Sequence, residues 1–431
     1  MSLTRISKDR LFDLLFGYVG HASQFISGFV TMFIITKYSG IGVYGIWVAL
    51  NAVQTFTSRV ISVPTNEAYF YFSSKKPSTN SKVSILLLSL SIDLVVGLML
   101  IIVAYLFGAY LIDLLFDGEI YASYITYYFV YAFFLSIRTF SVAYWLNNDG
   151  YKKSVLLGVL EQTIKLLLLT YFFIYLQEEE IYYVIIAVLI STAPISMIFL
   201  VAPAKYLIKN WLFFDKSNFK DHFTQYAKYT KKAYASFVLN GIIKSVDNLL
   251  VSILFSNQVV GLYATIKQFA MPLNFAIAPI INLSYRSFSK SLADNKLSAI
   301  TNVIYRSLKL LIIVSIPIFI ITLTMLFLYG NVQDLNFEST DYLIFVFSFS
   351  TTAIGVFYWW ARPFASVYDP TLSLRAQFVF IVVYSILIYP LSINIGLLGF
   401  CLALFLCSVV LLFYWFRILW VLRSSKLVSL E

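Results

Sequence analysis

The stretch KSVDNLLVSILFSNQVVGLYATIKQFA, Lys244–Ala270, sets three ionisable residues, Lys244, Asp247 and Lys267, in a background of Val, Leu, Ile and Phe. What lies around it decides the fold. Of the 431 residues, 60% are hydrophobic and only 12% charged, about half the charge of a soluble domain. The apolar residues form continuous blocks of about 20, enough to cross a hydrocarbon core of about 30 Å. A membrane β-barrel would alternate with period two, and these blocks do not. The chain is therefore expected to be an all-α polytopic membrane protein.

Working outward from the quoted stretch, twelve spans are drawn, at 11–36, 43–72, 83–110, 121–147, 154–176, 182–207, 230–255, 259–286, 303–329, 340–362, 372–392 and 396–420. An even count puts both termini on one side. Arg5, Lys8 and Arg10, then Lys75, Lys76 and Lys82, then Lys152 and Lys153, and the run from Lys205 to Lys232 all fall on that side. Asp113, Asp117 and Glu119, then Glu178, Glu179 and Glu180, then Asp334, Glu338 and Asp341 fall on the other. The positive-inside rule makes both termini cytoplasmic. The net charge of +10 is mostly this loop bias and requires no nucleic-acid partner. Cys401 and Cys407 lack metal-ligand spacing and are expected to be small apolar helix residues.

The quoted stretch also has an echo. YSGIGVYGIWVAL (38–50) follows the first span as FSNQVVGLYATI (255–266) follows the seventh. Gly45-Ile46-Trp47 matches Gly261-Leu262-Tyr263 at an offset of 261 − 45 = 216, half the chain. This predicts two six-helix lobes, 1–210 and 230–431, joined by a cytoplasmic loop at 211–229 and related by an axis along the membrane normal.

A charge at the bilayer centre costs about 2.5–3.5 kcal/mol on insertion scales. Arg59, Arg138, Glu161, Lys165, Lys244, Asp247 and Lys267 all fall inside spans. Helical spacing gathers Ser236, Asn240, Lys244 and Asp247 on one face of span seven, and Asn51, Thr55, Arg59, Ser62 and Asn66 on one face of span two. His21 joins a small and polar stripe on span one, and Lys267, Asn274 and Asn282 share a side of span eight. These four spans are expected to surround one polar cavity. Glu161 with Lys165, and Lys244 with Asp247, are either self-satisfied pairs or working groups, and His21 is either a helix contact or a proton carrier. Arg59, Arg138 and Lys267 have no obvious local partner. Five cations against two carboxylates point to an anionic passenger such as a phosphate or pyrophosphate. Tyr127 and Tyr131 share a face with Arg138, where rings could stack on sugars.

Asp247, the short turn, Val260-Gly261-x-Tyr263 and Pro279, with YGIWVAL in the first half, resemble the polysaccharide-export branch of the multidrug/oligosaccharidyl-lipid/polysaccharide superfamily. The resemblance covers most of the chain in topology. It implies a MATE-like architecture of two lobes and a flippase of the Wzx type for O-antigen or capsule repeat units, acting in the bacterial inner membrane. The implied passenger is an oligosaccharide on undecaprenyl pyrophosphate, and the implied partners are membrane lipids, a polysaccharide polymerase and a chain-length regulator. Arg59, Arg138, Lys244 and Lys267 would hold the passenger. Asp247, Glu161, Lys165 and His21 would pair charges or couple a proton or sodium ion. No bond is made or broken, so no enzyme activity, cofactor or metal is expected. Peptidoglycan-precursor flippases typically carry fourteen spans, against the twelve here. The runner-up is a drug exporter of the same superfamily, which would favour an acidic cavity. A polymerase would carry a large outside loop, and here those loops are short and acidic.

Overall fold

The computed structural model describes residues 8–74, 78–116, 122–148, 150–214, 216–275, 277, 288, 297–333, 335 and 337–424. Helix is the regular structure throughout these residues, and no strand occurs among them. The chain divides into two compact units, Met1–Gly261 and Leu262–Glu431.

The first unit contains α1 (Lys8–Tyr38), α2 (Ile41–Ile61), α3 (Thr65–Ser74), α4 (Thr79–Phe116), α5 (Ala122–Asn147), α6 (Tyr151–Thr170), α7 (Ile181–Lys209) and α8 (Lys216–Leu254). A π-turn, Tyr171–Tyr175, ends α6. Helix α9 (Asn257–Ala270) runs from the first unit into the second, which continues with α10 (Leu297–Val332), α11 (Ser339–Phe357), α12 (Ala361–Tyr368) and α13 (Pro370–Ser424). Eight helices among the described residues are long and apolar enough to cross a membrane. Their outer faces are those of a lipid-solvated protein: Tyr105, Leu106, Ile313 and Ile386 are all more than 60% exposed. The chain is a multi-pass membrane protein.

Three local features depart from the drawn spans or refine them. Span two is broken. Pro64 disfavours helix at the residue before it, so α2 ends at Ile61, Ser62 is extended at φ −70° and ψ 147°, and α3 restarts at Thr65. The stretch 216–229, expected as loop, is the first part of α8. Its lysines mask a helical stripe of Phe219, His222, Tyr226 and Tyr229, spaced three, four and three. That stripe meets the rest of the unit: Tyr226 stacks on Phe72 at 5.8 Å, Tyr229 on Tyr71 at 4.5 Å, and Ser81 bonds His222 at 3.3 Å.

Helix α13 is a hairpin. Tyr384 and Phe400 would stand about 24 Å apart along a continuous helix at 1.5 Å per residue, yet their rings are 6.4 Å apart. The fold-back turns on Gly396, whose φ of 63° and ψ of −142° favour glycine. Its two arms correspond to the expected spans 372–392 and 396–420. Cys401 and Cys407 are buried and free in the second arm.

At the start of the first arm, Asp369 accepts from the backbone N–H of Thr371 at 2.9 Å and from its hydroxyl at 2.8 Å. These bonds hold the Asp369 carboxyl below the usual carboxylate range. A depressed pKa contributes stability above the unfolded value, and that contribution is lost as pH falls through the folded one. Asp369→Ala is therefore expected to speed amide exchange at Thr371 and Leu372 at neutral pH. The gap from the parent should narrow under acid, and equal exchange at neutral pH would remove the cap.

Candidate functional site

Within the first unit the expected ionisable residues form two groups. The first lies among α5, α6 and α7. Arg138 of α5 forms an ion pair with Glu161 of α6, their side chains 18% and 7% exposed. The other Glu161 oxygen accepts from the Thr192 hydroxyl of α7 at 2.7 Å. Arg138 also lies 4.9 Å over the Phe199 ring, and Trp145 fixes Phe199 by donating to its carbonyl at 2.9 Å. Lys165 stands one turn beyond Glu161, within its electrostatic reach. Arg138 thus has a partner that its own helix does not reveal. With Arg138 and Glu161 neutralising one another, the group carries one surplus positive charge, on Lys165.

The second group is the polar face of α2, which packs along α8. Arg59 sits 4.9 Å over Phe237 of α8, and Tyr234 of α8 donates to the Val60 carbonyl. Gln54 donates to Ser58 at 2.9 Å, and Asn51 accepts from the Tyr128 hydroxyl of α5. Tyr128 packs edge-on to Trp47 at 5.3 Å and against Tyr131 at 5.2 Å. Tyr131 lies within electrostatic reach of Arg138 and Glu161. An aromatic and polar track therefore runs from the α2 face to the ion pair. Tyr131 belongs to it, whereas Tyr127 turns to Tyr182 at 6.1 Å.

Asp247 on α8 is 9% exposed and accepts from the Asn248 backbone N–H at 2.8 Å. The side chains of Lys244, Ser236 and Asn240 lie outside the described residues, as do Pro279 and Asn282. His21 is half-buried on α1. Lys267 belongs to the second unit, where it lies 5.5 Å over the Tyr263 ring, itself edge-on to Phe400 at 5.7 Å.

Sequence reasoning passed over Asp93. It is 4% exposed in the middle of α4, a charged residue in the run SLSIDLVVGLML. One oxygen accepts from the Thr65 hydroxyl at 2.8 Å and the other from the Phe140 backbone N–H at 3.1 Å. It pins the α2–α3 break to α4 and α5. The signal was present: a carboxylate within an apolar block is costly enough to need a reason.

The quoted glycines also meet. A Cβ on Gly45 would stand 1.9 Å from the Asn257 carbonyl oxygen, and one on Gly261 would stand 2.0 Å from the Ile41 carbonyl oxygen. Ile41 and Asn257 differ by 257 − 41 = 216, the offset that relates the glycines themselves. The contact is self-complementary under the sequence repeat.

No protein-family model and no curated protein matches the chain. Solved structures do. An inward-facing multidrug resistance MATE family transporter of the MOP superfamily aligns with TM-score 0.70 at 12% identity, over 93% of this chain and 96% of that one. The lipid II flippase MurJ, in an inward closed conformation, aligns with TM-score 0.73 at 16% identity, over 94% of this chain and 87% of that one. A MOP superfamily transporter from Pyrococcus furiosus, described as having a binding pocket of reverse polarity, aligns with TM-score 0.58 at 12% identity, over 95% of both chains. The chain therefore has the fold shared by MATE transporters of the MOP superfamily and the lipid II flippase MurJ.

Proposed function

We propose that the protein is a flippase for lipid-linked oligosaccharides, carrying the glycan and diphosphate of an undecaprenyl-pyrophosphate repeat unit from the cytoplasmic to the outer leaflet of a bacterial inner membrane. The observation that carries this is the polar track of the first unit. It holds Arg138 within electrostatic reach of Tyr131, which packs on Tyr128, with Lys165 one turn beyond Glu161 and Arg59 on the α2 face whose Asn51 accepts from Tyr128. Cations suit a diphosphate, and aromatic faces and amides suit sugar rings. A drug exporter, built for organic cations, would need the opposite sign.

The chemistry is binding and release alone. Rigid-body rocking of two six-helix lobes would present the headgroup to each side in turn while the isoprenoid stays in lipid. Glu161 occupies Arg138 in the structure, so an arriving diphosphate competes with it for the guanidinium. That competition makes Glu161 the first candidate for coupling to an ion. Asp93, Asp247 and His21 follow, with a proton or sodium as the ion to test.

Deleting the gene in its host and separating lipid-linked sugars by membrane face tests the proposal. Complete repeat units should accumulate on the cytoplasmic leaflet, with loss of surface polymer. Units reaching the outside with only chain length lost would make the protein a polymerase. An untouched glycan would favour drug export. Within the flippase, Arg59→Ala is expected to reduce surface polymer at least ~10-fold at unchanged expression, about 1.4 kcal/mol of lost passenger binding. Arg59→Lys should retain part of the activity, because a point charge still meets phosphate. Normal polymer in Arg59→Ala would remove Arg59 from the passenger site.

A further inference from the structure

A cavity of mixed polar and apolar lining lies at the lysine-rich end of the first unit. It has a volume of about 40 Å³. Three tyrosines wall it: Tyr69 of α3, Tyr144 of α5 and Tyr206 of α7. Their rings follow one another at 6.3 and 6.2 Å. Asn147 and Asn148 close the end of α5, and both side chains hydrogen-bond Tyr69. Lys82, exposed in the first turn of α4, stands at the mouth. Ile85 and Leu86 form an apolar floor, and no acidic residue lines the cavity.

Three properties of this cavity select its ligand. Its polar groups are an ammonium, two amides and three phenols, with Asn148 already donating to the Tyr144 carbonyl at 2.8 Å. That inventory matches the oxygens of an anion, with Lys82 supplying charge assistance. Its size is the second. At about 40 Å³ it holds only a few water-sized groups, so it can receive part of a small headgroup but not a sugar ring. Its level is the third. Lys82 immediately precedes the apolar run of α4, and Tyr206 lies in the last turn of α7 beside exposed Lys205 and Lys209. Tyrosine and lysine at the ends of apolar spans sit where lipid headgroups are. Lys205 and Lys209 concentrate anionic lipid there.

We infer that this cavity binds the phosphate ester of an anionic lipid headgroup, drawn from the leaflet on the lysine-rich side. The site stands independently of the transported substrate. Its occupant would tie α3, α4, α5 and α7 together at one end, a stabilising ligand of the first unit.

The test uses the full chain in uncharged maltoside micelles, with phosphatidylglycerol, phosphatidylcholine or millimolar inorganic phosphate added in separate arms. Phosphatidylglycerol is expected to raise the unfolding temperature by about 2 °C through preferential binding to the folded state. Lys82→Gln and Asn147→Asp should each lose at least half of that rise. Lys153→Gln, an exposed lysine on a neighbouring helix start, should keep it. Each variant is read against its own temperature in maltoside without added lipid, so a change in basal stability does not hide the result. The site is overturned if both cavity variants keep the full rise, or if Lys153→Gln loses as much as Lys82→Gln. An equal, Lys82-dependent rise with inorganic phosphate alone would overturn the lipid assignment.

Discussion

Alanine at Gly45 is expected to destabilise the protein by about 3 kcal/mol, the upper range for overpacking a close contact. The added methyl would stand 1.9 Å from the Asn257 carbonyl oxygen. A flexible side chain could swing away from it, but a backbone carbonyl cannot. Helices α2 and α9 must therefore separate, losing the close approach that small residues permit between membrane helices. Gly261→Ala should cost about the same, since it meets the Ile41 carbonyl oxygen at 2.0 Å. The double variant should cost much less than the sum, because the first separation already makes room for the second methyl. Gly355→Ala is the control. Its nearest neighbour is the Tyr358 hydroxyl at 4.0 Å, and a helical alanine there is expected to be neutral or slightly stabilising. Loss of helical signal on heating in detergent reads all four. Gly45→Ala as stable as Gly355→Ala would mean that the helices cross more loosely than described.

Removing one partner of the Arg138–Glu161 pair is expected to be nearly as severe. Arg138→Ala leaves Glu161 buried with the Thr192 hydroxyl on one oxygen and Lys165 one turn away. Breaking a buried pair from one side costs about 3–5 kcal/mol. Glu161→Ala strands a guanidinium that still rests on Phe199 and is somewhat more exposed, so its cost should fall at the lower end. Replacing both, as Arg138→Met with Glu161→Leu, removes the two charges of the pair, leaves the group's surplus on Lys165 as it was, and should recover most of the loss. That double variant also separates architecture from transport. If Arg138 holds the passenger, the repaired protein is stable and inactive in the surface-polymer assay. If it is stable and fully active, the pair serves packing alone.

Much of the fold was legible because bilayer thickness is a strict ruler. Apolar blocks of about 20 residues predicted helices, and the two blocks at 372–392 and 396–420 became the arms of α13. The legible part of the site was local in sequence. Glu161 and Lys165 lie four residues apart on one helix, and their proximity was foreseen. Arg138 and Glu161 are 23 residues apart on different helices, and no helical phase brings them together without knowing how α5 packs on α6. The same holds for Asp93, whose partners come from α3 and α5. The α8 extension was missed for another reason. Its lysines and histidine suggested a solvated connection, while the aromatic stripe that docks it was diluted among them. The α2–α3 break was visible in Pro64, but an apolar count does not weigh one proline.

The connections beside the paired glycines have a mechanical consequence. Tyr38 ends α1 and Ile41 begins α2, so Ser39 and Gly40 make the whole link, with Gly40 at φ 89°. Leu254 and Asn257 likewise leave only Phe255 and Ser256 between α8 and α9. Two residues hold almost no slack. A displacement of α1 at this end is handed to α2 with little loss, as a stiff crank passes on a turn. Compliance in the first pair of helices must lie further along, at Ser62–Pro64, where the chain leaves the helical ladder and Asp93 grips the far side through Thr65.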